Sequence, residues 1–356
     1  MKIVFLSKRH PQGKDLLTRP YGRFFHLPRL LAEKGHEVHL VLLSYHKQPA
    51  IDIHRFGMQW YSRSLWHKGS SSYWSTACSL MDTIKPGWVI GFSDTYYGIL
   101  AEFLGHRYGC PSIIDAYDNY ESYLPWCTPL HFFWRQAVSR TTAVTAAGPH
   151  LAALLQKARQ GKPVYIVPMA ADAPNFKPLD RTASRHDLNL HPSRKIIGYC
   201  GSIYRSRGVE ILFDAHDILT KTGHDTDLVL TGRIGKSISL PSAAKWLGYL
   251  PDDKMPIFIN SLNISVVLNR TSSFGNFSYP IKLYEAMGCG IPVIATDTQP
   301  ANWILKGDKR FLARPDDPCD LADKLRQALT LDHVDYGKQT SWEQSCRSLE
   351  EVMLKK

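Results

Sequence analysis

The sequence predicts an α/β protein of two domains, each a parallel β-sheet covered on both faces by helices. Three observations lead there. Short apolar runs alternate with amphipathic stretches of helical period, the pattern of strand–helix–strand units. The alternation is interrupted near the middle by a proline-rich segment and then restarts. The chain, at 356 residues, is also longer than one hydrophobic core ordinarily serves.

The elements follow in order. Lys2–Ser7 reads as a strand, and Arg9–Arg19 as a polar loop containing Gly13. Phe24–Lys34 repeats Phe24, Leu27, Leu30 and Leu31 at helical spacing before Gly35 stops it, and Glu37–Ser44 is the next strand. Trp88–Gly91, Tyr97–Tyr108, Ser112–Ile114, His131–Arg140 and Ala143–Ala147 continue as strand, helix, strand, helix, strand. The run from Pro168 to Pro178 is the expected crossing between domains. Lys195–Cys200 then begins a second series: loop Gly201–Gly208, helix Val209–Thr220, and strand Asp227–Thr231 ending at Gly232. Strand Ile264–Leu268, helix Ile281–Gly288 and strand Pro292–Ala295 complete it. Ligands of such sheets gather at the carboxyl ends of the strands.

Composition narrows the function classes. No window holds the roughly 18 uninterrupted apolar residues of a membrane span. Ser7-Lys8-Arg9-His10 cuts the first apolar run too early for a signal peptide. Seven scattered cysteines without a Cys-x-x-Cys pair argue against a disulfide framework or a thiolate zinc site, and a reducing cytoplasm is the expected home. The net charge of +11 is uneven. Residues 1–165 hold 19 Lys/Arg against 10 Asp/Glu, whereas residues 166–356 hold 24 against 22. A basic first half suits an anionic membrane surface, a phosphorylated substrate or plain solubility. No zinc-finger spacing or aromatic-basic RNA motif accompanies it, so nucleic acid is not an expected partner.

Two stretches of the second half carry chemistry. In Phe277-Ser278-Tyr279-Pro280-Ile281-Lys282-Leu283-Tyr284-Glu285, Pro280 suits the first turn of a helix, whose free N–H groups form an anion site. Lys282 and Glu285 are three apart and can share a face. A lysine there could meet a diphosphate while the carboxylate accepts ribose hydroxyls, or the two could be an ordinary surface pair. Gly288 and Gly290 turn the chain into the following strand. In Gly201-Ser202-Ile203-Tyr204-Arg205-Ser206-Arg207-Gly208, a strand enters a glycine-punctuated loop with two arginines, and Arg207 could hold a diphosphate bidentately. Neither a P-loop nor a Gly-x-Gly-x-x-Gly signature is present.

Together these residues resemble the nucleotide-sugar glycosyltransferases of the GT-B fold, specifically the retaining family four, in its Pro-x-Lys-x-x-Glu branch. Gly35-His36-Glu37-Val38 is similar to that family's entry into the second strand, and Val167-Pro168-Met169-Ala170-Ala171-Asp172 to its interdomain Pro-Asn-Gly-Val-Asp, with Phe176 and Pro178 completing the pattern. Gly201–Gly208 resembles the diphosphate loop, Trp246–Asn263 the segment lining the nucleobase pocket, and Ser341-Trp342-Glu343 the start of the last helix. The resemblance implies two Rossmann-like domains facing across a cleft. Residues 1–170 would be the acceptor side, residues 171–340 would bind the nucleotide-sugar, and a C-terminal helix over about 341–356 would pack back on the first domain. It further implies donor binding by Gly13, Gly201, Ser202, Arg205, Arg207, Tyr249, Leu250, Ser278, Tyr279, Pro280, Ile281, Lys282 and Glu285, with Asp118, Arg207 and Lys282 in catalytic roles.

The departures are specific. The first glutamate of the family's paired motif falls at Phe277, and the diphosphate loop's usual arginine falls at Ser202. Asp118, in Asp115-Ala116-Tyr117-Asp118, stands where the family often has histidine, with Asp115 placed to support it or to cap the following turn. Asp115-x-x-Asp118 is not an Asp-x-Asp metal signature, and the expected reaction uses a UDP- or GDP-type sugar as co-substrate, without metal and with retention. The expected acceptor is a hydroxyl, in cell-surface or lipid-linked glycan synthesis, with the protein free in the cytoplasm or peripheral on the inner membrane face. Tyr117, Tyr120, Tyr123, Trp126, Phe132, Phe133 and Trp134 crowd the region after Asp115. Core packing is the first expectation for most of them, with an acceptor cleft or a membrane interface as alternatives. A phosphorylase or epimerase of the same double fold, or a non-catalytic nucleotide binder, are the competing functions. The sequence does not address oligomeric state.

Overall fold

The computed structural model describes residues 1–66 and 69–355. The chain forms two units: Met1–Met169 with Trp342–Lys356, and Ala170–Ser341.

In the first unit the elements are β1 (Lys2–Lys8), α1 (Arg23–Glu33), β2 (Glu37–Ser44), β3 (Ile51–Arg55), β4 (Met58–Ser64) and α2 (Ser71–Ile84). They continue with β5 (Trp88–Phe92), α3 (Thr95–Tyr108), β6 (Ser112–Ala116), α4 (Thr128–Arg140), β7 (Ala143–Ala146), α5 (Pro149–Gln156) and β8 (Val164–Ile166). The sheet order is β3-β4-β2-β1-β5-β6-β7-β8. The inner strands are apolar on both faces because helices cover both, and Val4, Leu6, Val41, Val89, Ala101 and Leu104 meet in one buried cluster.

The sheet departs from the expected wholly parallel arrangement at its edge. β3 pairs antiparallel with β4, and the reversal is made at Phe56 and Gly57, both at positive φ (54° and 70°), the geometry of a tight hairpin. β3 is largely exposed, so its residues had no apolar signature to read.

The second unit contains α6 (Arg181–Asp187), β9 (Lys195–Cys200), α7 (Val209–Lys221), β10 (Thr226–Thr231), β11 (Ala244–Trp246), α8 (Lys254–Ser261) and β12 (Ile264–Val267). After these come α9 (Ile281–Gly288), β13 (Val293–Thr296), α10 (Gln299–Ile304), β14 (Leu312–Ala313) and α11 (Pro318–Ala328). All strands are parallel, in the order β11-β10-β9-β12-β13-β14.

The last helix, α12 (Trp342–Leu354), belongs to the first unit. Trp342 stacks on His26 with ring centres 5.3 Å apart, Ser345 donates to the Pro168 carbonyl at 2.9 Å, and Glu350 pairs with Lys34 and His36. Lys356, the end of the helix expected from sequence, lies outside the described residues.

In both sheets the order reverses about the first strand of the unit, between β1 and β5 and between β9 and β12. Doubly wound sheets bind ligands at the carboxyl ends of the strands that flank such a reversal. Those two points organise the sites.

Candidate functional site

In the second unit β9 ends at Cys200 and the chain turns at Gly201, whose φ of +139° few side chains tolerate. The Gly201 amide donates to the Thr231 carbonyl at 2.9 Å, and Gly232 comes so close that a β-carbon there would run into the Gly201 carbonyl. The loops leaving β9 and β10 then pair with each other. The Ile203 amide donates to Arg233 at 2.8 Å, and the Gly235 amide to Ile203 at 2.9 Å.

Lys282 lies in the first turn of α9, and its ammonium donates to the Cys200 carbonyl. A side chain on residue 201 would overlap that ammonium, so the glycine also makes the lysine's seat. Lys282 stands 5.9 Å from the centre of the Tyr199 ring, whose hydroxyl donates to the Ser202 carbonyl at 2.9 Å. The structure thus gathers Gly201, Ser202 and Lys282, expected from two separate stretches of sequence, around one strand end. Pro280 is not in the first helical turn as expected. It is the residue capping α9, in extended conformation (φ −73°, ψ 114°), and Ile281 begins the helix. Its missing N–H still costs nothing there.

Glu285 is buried, one turn beyond Lys282. Cys200 feels both charges: burial pushes its thiol up, Lys282 opposes, and Glu285 adds to the rise. Burial, with Glu285 again contributing, pushes Cys289 up to about 12. Ser278 and Tyr279 are buried, Tyr279 edge-on to Trp303 at 5.7 Å.

The expected arginines go elsewhere. Arg207 donates to Asn269 Oδ1 at 2.8 Å, lies 4.9 Å from the centre of Phe274, and lines a cavity with Asn269, Arg270, Thr296 and Arg314. Arg205 turns outward to Glu210 at 3.0 Å. Beyond β11, Gly248 accepts from the Gly232 amide and the Thr231 hydroxyl at 2.9 and 2.8 Å, and the Leu250 amide faces Thr231 Oγ1 at 3.4 Å. Tyr249 is half exposed, with the Arg233 guanidinium 5.5 Å from its ring centre. Sequence reasoning passed over Arg233. The repeat of Gly-x-Ile in Gly201-Ser202-Ile203 and Gly232-Arg233-Ile234 was the available signal.

In the first unit the switch point is built from Lys8, Ser93 and Asp94. Ser93 is held at φ +84°, its hydroxyl bonded to Ser7 and to the Lys8 amide, and the Tyr120 hydroxyl accepts its amide. Lys8 pairs with Asp94 at 3.4 Å and lies 5.6 Å from the centre of Tyr123. Tyr123 donates to Asp118 Oδ2 at 2.8 Å. Burial, then the Asp118 charge, pushes the Tyr123 phenol well above its ordinary range, so it stays a donor. Lys8 and Ser93 carry no site signal in the sequence, and Tyr123 is legible there only as one of the aromatics after Asp115 that could line an acceptor cleft. Gly13 is exposed, at φ +77° in the loop after β1.

Two expectations need correction. Asp115 does not support Asp118. Both its oxygens receive the Arg23 guanidinium, at 2.7 and 2.8 Å, and Thr145 donates to it as well. The aromatics after Asp115 also divide. Tyr117, Tyr120 and Trp134 are buried, but Trp126, Phe132 and Phe133 are 75%, 60% and 58% exposed. Among the described residues no group of three or more His, Cys, Asp or Glu could hold a metal ion.

Similarity to known proteins falls on this geometry. Residues 194–331, all in the second unit, match the family described as Glycosyl transferases group 1. The D-inositol 3-phosphate glycosyltransferase of Corynebacterium jeikeium is 24% identical over 218 residues, which are 53% of this chain and 51% of that protein. The lipopolysaccharide core biosynthesis mannosyltransferase LpsB of Rhizobium meliloti is 25% identical over 191 residues, 50% of this chain and 52% of that one. The chain thus spans about half the length of the curated relatives it matches. Among solved structures, Anabaena HepE in complex with UDP and glucose superposes with a TM-score of 0.73 over 100% of both chains at 14% identity. Sucrose-phosphate synthase of Thermosynechococcus elongatus gives 0.72 over 99% of this chain and 96% of that one, at 15%. Two Rossmann-like units in this order define the GT-B fold, and this chain has it.

Proposed function

We propose that the protein transfers a glycosyl group from a nucleoside diphosphate sugar to a hydroxyl acceptor, with retention and without a metal ion. The observation that carries this reading is Lys282. A cation in the first turn of α9 is seated against the end of β9, beside Gly201, in the unit that matches the family of group 1 transferases. In the reaction the bond from the anomeric carbon to the diphosphate oxygen breaks, and the acceptor oxygen bonds to the same face of that carbon. The acceptor proton passes to the departing diphosphate. Negative charge grows on that diphosphate as it leaves, and a preorganised ammonium with the N–H groups of a helix start stabilises it. Arg207 is one loop away, and release from Asn269 would bring it to the same group. Glu285 takes the ribose hydroxyls, and Tyr249 with Arg233 offers a stacking surface to the base. Asp118, oriented by Tyr123, receives the acceptor or the donor sugar. The named activities of the sequence relatives support glycosyl transfer, and the UDP, glucose and UDP-glucose held by HepE support a sugar nucleotide donor of the UDP type. The acceptor we propose is lipid-linked, on a membrane surface.

The test is thermal stabilisation by a panel of UDP- and GDP-sugars, because a ligand that binds the folded chain must raise its stability. Stabilisation by one donor, followed by release of its nucleoside diphosphate in the presence of EDTA, is the expected result. Stabilisation without turnover on any acceptor favours a non-catalytic binder. Release of sugar 1-phosphate with inorganic phosphate favours a phosphorylase.

A further inference from the structure

The first unit exposes several aromatics, Trp66, Tyr96 and Phe103 among them, and three of the largest exposures fall together within residues 125–133. Pro125, Trp126, Pro129, Phe132 and Phe133 are all solvent-facing, on the segment entering α4 and on its first turns. Phe132 and Phe133 meet edge to face at 5.6 Å. The opposite face of the same helix is buried through Trp134, Ala137 and Val138. The segment is held rather than loose. Arg135 clamps Glu121 with two bonds of 2.8 and 2.6 Å, and His131 Nε2 meets the Leu124 carbonyl at 3.0 Å. Large aromatics kept out of the core by a fixed scaffold mark an interaction surface.

Charge indicates the partner. Between Glu121 and Asp172 the sequence holds five Lys/Arg and no Asp or Glu. Of these, Arg140 and Lys162 are exposed at the far end of α4, where Lys162 lies 3.4 Å from the Ser139 carbonyl. Aromatics at one end of a helix and bases at the other, with no carboxylate on the intervening chain, complement a bilayer with anionic headgroups. Trp and Phe settle at the boundary of headgroups and acyl chains, and Arg and Lys meet the phosphates.

We propose that this face of α4 docks the protein on an anionic lipid bilayer, with Trp126, Phe132 and Phe133 entering the interface and Arg140 and Lys162 on the headgroups. Trp126 is three residues from Tyr123, the residue bonded to Asp118. Docking therefore sets the bilayer beside the end of the sheet where Asp118 stands. The inference deepens the proposed lipid-linked acceptor, but it is tested without any sugar donor.

The experiment is cosedimentation of the full chain with vesicles of phosphatidylcholine alone, and of phosphatidylcholine and phosphatidylglycerol in equal parts. The chain binds the anionic vesicles, not the neutral ones, and salt releases it. Trp126→Ser, Phe132→Ser and Phe133→Ser together reduce binding more than about tenfold while circular dichroism is unchanged. Should that variant misfold, Arg140→Ala and Lys162→Ala decide, each lowering binding roughly fivefold. Equal binding to both vesicles, binding to neither, or folded variants that bind like the wild type overturn the proposal. A wild-type dimer that the serine variant breaks, with lipid binding unchanged, overturns it too and makes the patch a contact between copies. A chain that docks but is stabilised by no sugar nucleotide keeps the docking face and removes the transfer reading. A chain that is stabilised by a sugar nucleotide but docks nowhere does the reverse.

Discussion

Arg23 and Asp115, 92 residues apart, form a fully buried ion pair in which both carboxylate oxygens receive the guanidinium. Arg23 spends its remaining N–H groups on the Val167 carbonyl and the Met169 sulfur. Arg23 therefore ties α1, the end of β6 and the segment after β8 to one another. Neither charge can be left alone in that interior. Asp115→Ala is expected to destabilise the protein by about 3–5 kcal/mol, because it strands a buried guanidinium. Urea denaturation measures the loss, and a nucleoside diphosphate titration of the remaining folded protein should be unchanged, since the pair lies wholly in the first unit. A loss under about 1 kcal/mol, the range of an exposed pair, would mean that water reaches Arg23.

Gly201→Ala tests the seat of Lys282. The substitution demands a strained φ and overlaps the ammonium, so it should cost roughly 1–3 kcal/mol and weaken nucleoside diphosphate binding. In a Lys282→Ala background the overlap is gone, and the same change should cost less. Thermal denaturation of the two single variants and the double variant gives the coupling. Strict additivity would show that Lys282 does not occupy that place.

The parts of the fold legible in the sequence were those with apolar rhythm. The run Lys195–Cys200 has the pattern of a strand and is β9, and Ile281–Gly288 has that of a helix and is α9. β3 escaped because Ile51-Asp52-Ile53-His54-Arg55 is an exposed edge whose turn, Phe56-Gly57, lacks the usual Asn-Gly or Asp-Gly. Arg23 escaped for a different reason. A charged residue at the start of an amphipathic helix looks solvated, and nothing local announces a partner 92 residues on. For the aromatics the general tendency to burial outweighed the helical period. With Trp134, Ala137 and Val138 facing inward, Phe132 falls on the outer face, and Phe133, one turn before Ala137, falls at the border of the buried stripe and is exposed there. The juxtaposition of Lys282 with Cys200 is tertiary: it needs α9 and β9 side by side, and no spacing encodes it.

His216 predicts the response to acid. It is buried in α7 with Nε2 3.1 Å from the Thr226 carbonyl, and burial lowers its pKa, as it does for His10 and His150. The unfolded chain then takes up the proton more readily than the folded one. This contribution to stability is whole above the ordinary value of 6.5 and is lost as pH falls below it. Asp15 and Glu350, whose pKa values are lowered, add their own loss only nearer the carboxylate range. Melting temperatures should therefore begin to fall just below pH 6.5, with a shallower slope in His216→Leu. An identical slope in the variant would assign the loss to the other histidines.

Thiol chemistry separates surface from interior. Cys319 is exposed, whereas Cys289 and Cys346 are buried and pushed up to about 12. Only the thiolate reacts, so iodoacetamide at neutral pH should modify Cys319 long before either of the other two. Peptide mass spectrometry over time reads the order. Early modification of Cys289 would mean that the segment around Glu285 opens in the folded state.

Lys282 and Asp118 separate the two halves of the proposed reaction. Lys282 acts on a diphosphate that is already bound, and its worth is greatest when that group takes on the departing charge. Lys282→Ala should therefore lower kcat far more than donor affinity, by roughly 10²–10³ if it resembles other preorganised donors. Glu285→Ala should do the opposite, weakening free nucleoside diphosphate by about 1.5–3 kcal/mol through a lost charged hydrogen bond. Asp118 stands at the switch point of the first unit, whereas Arg207, Lys282 and Glu285, proposed to hold the nucleotide, belong to the second. Asp118→Asn should leave nucleotide affinity unchanged and impair transfer. Tyr123→Phe, which removes the phenol donating to Asp118 at 2.8 Å, should impair transfer less, because the carboxylate remains but loses its orientation. Calorimetry with the nucleoside diphosphate and steady-state transfer, run on all four variants with one acceptor, make the comparison. Near-normal kcat in Lys282→Ala would leave the diphosphate to Arg207. Lost nucleotide affinity in Asp118→Asn would move that carboxylate from the acceptor's side of the reaction to the donor's.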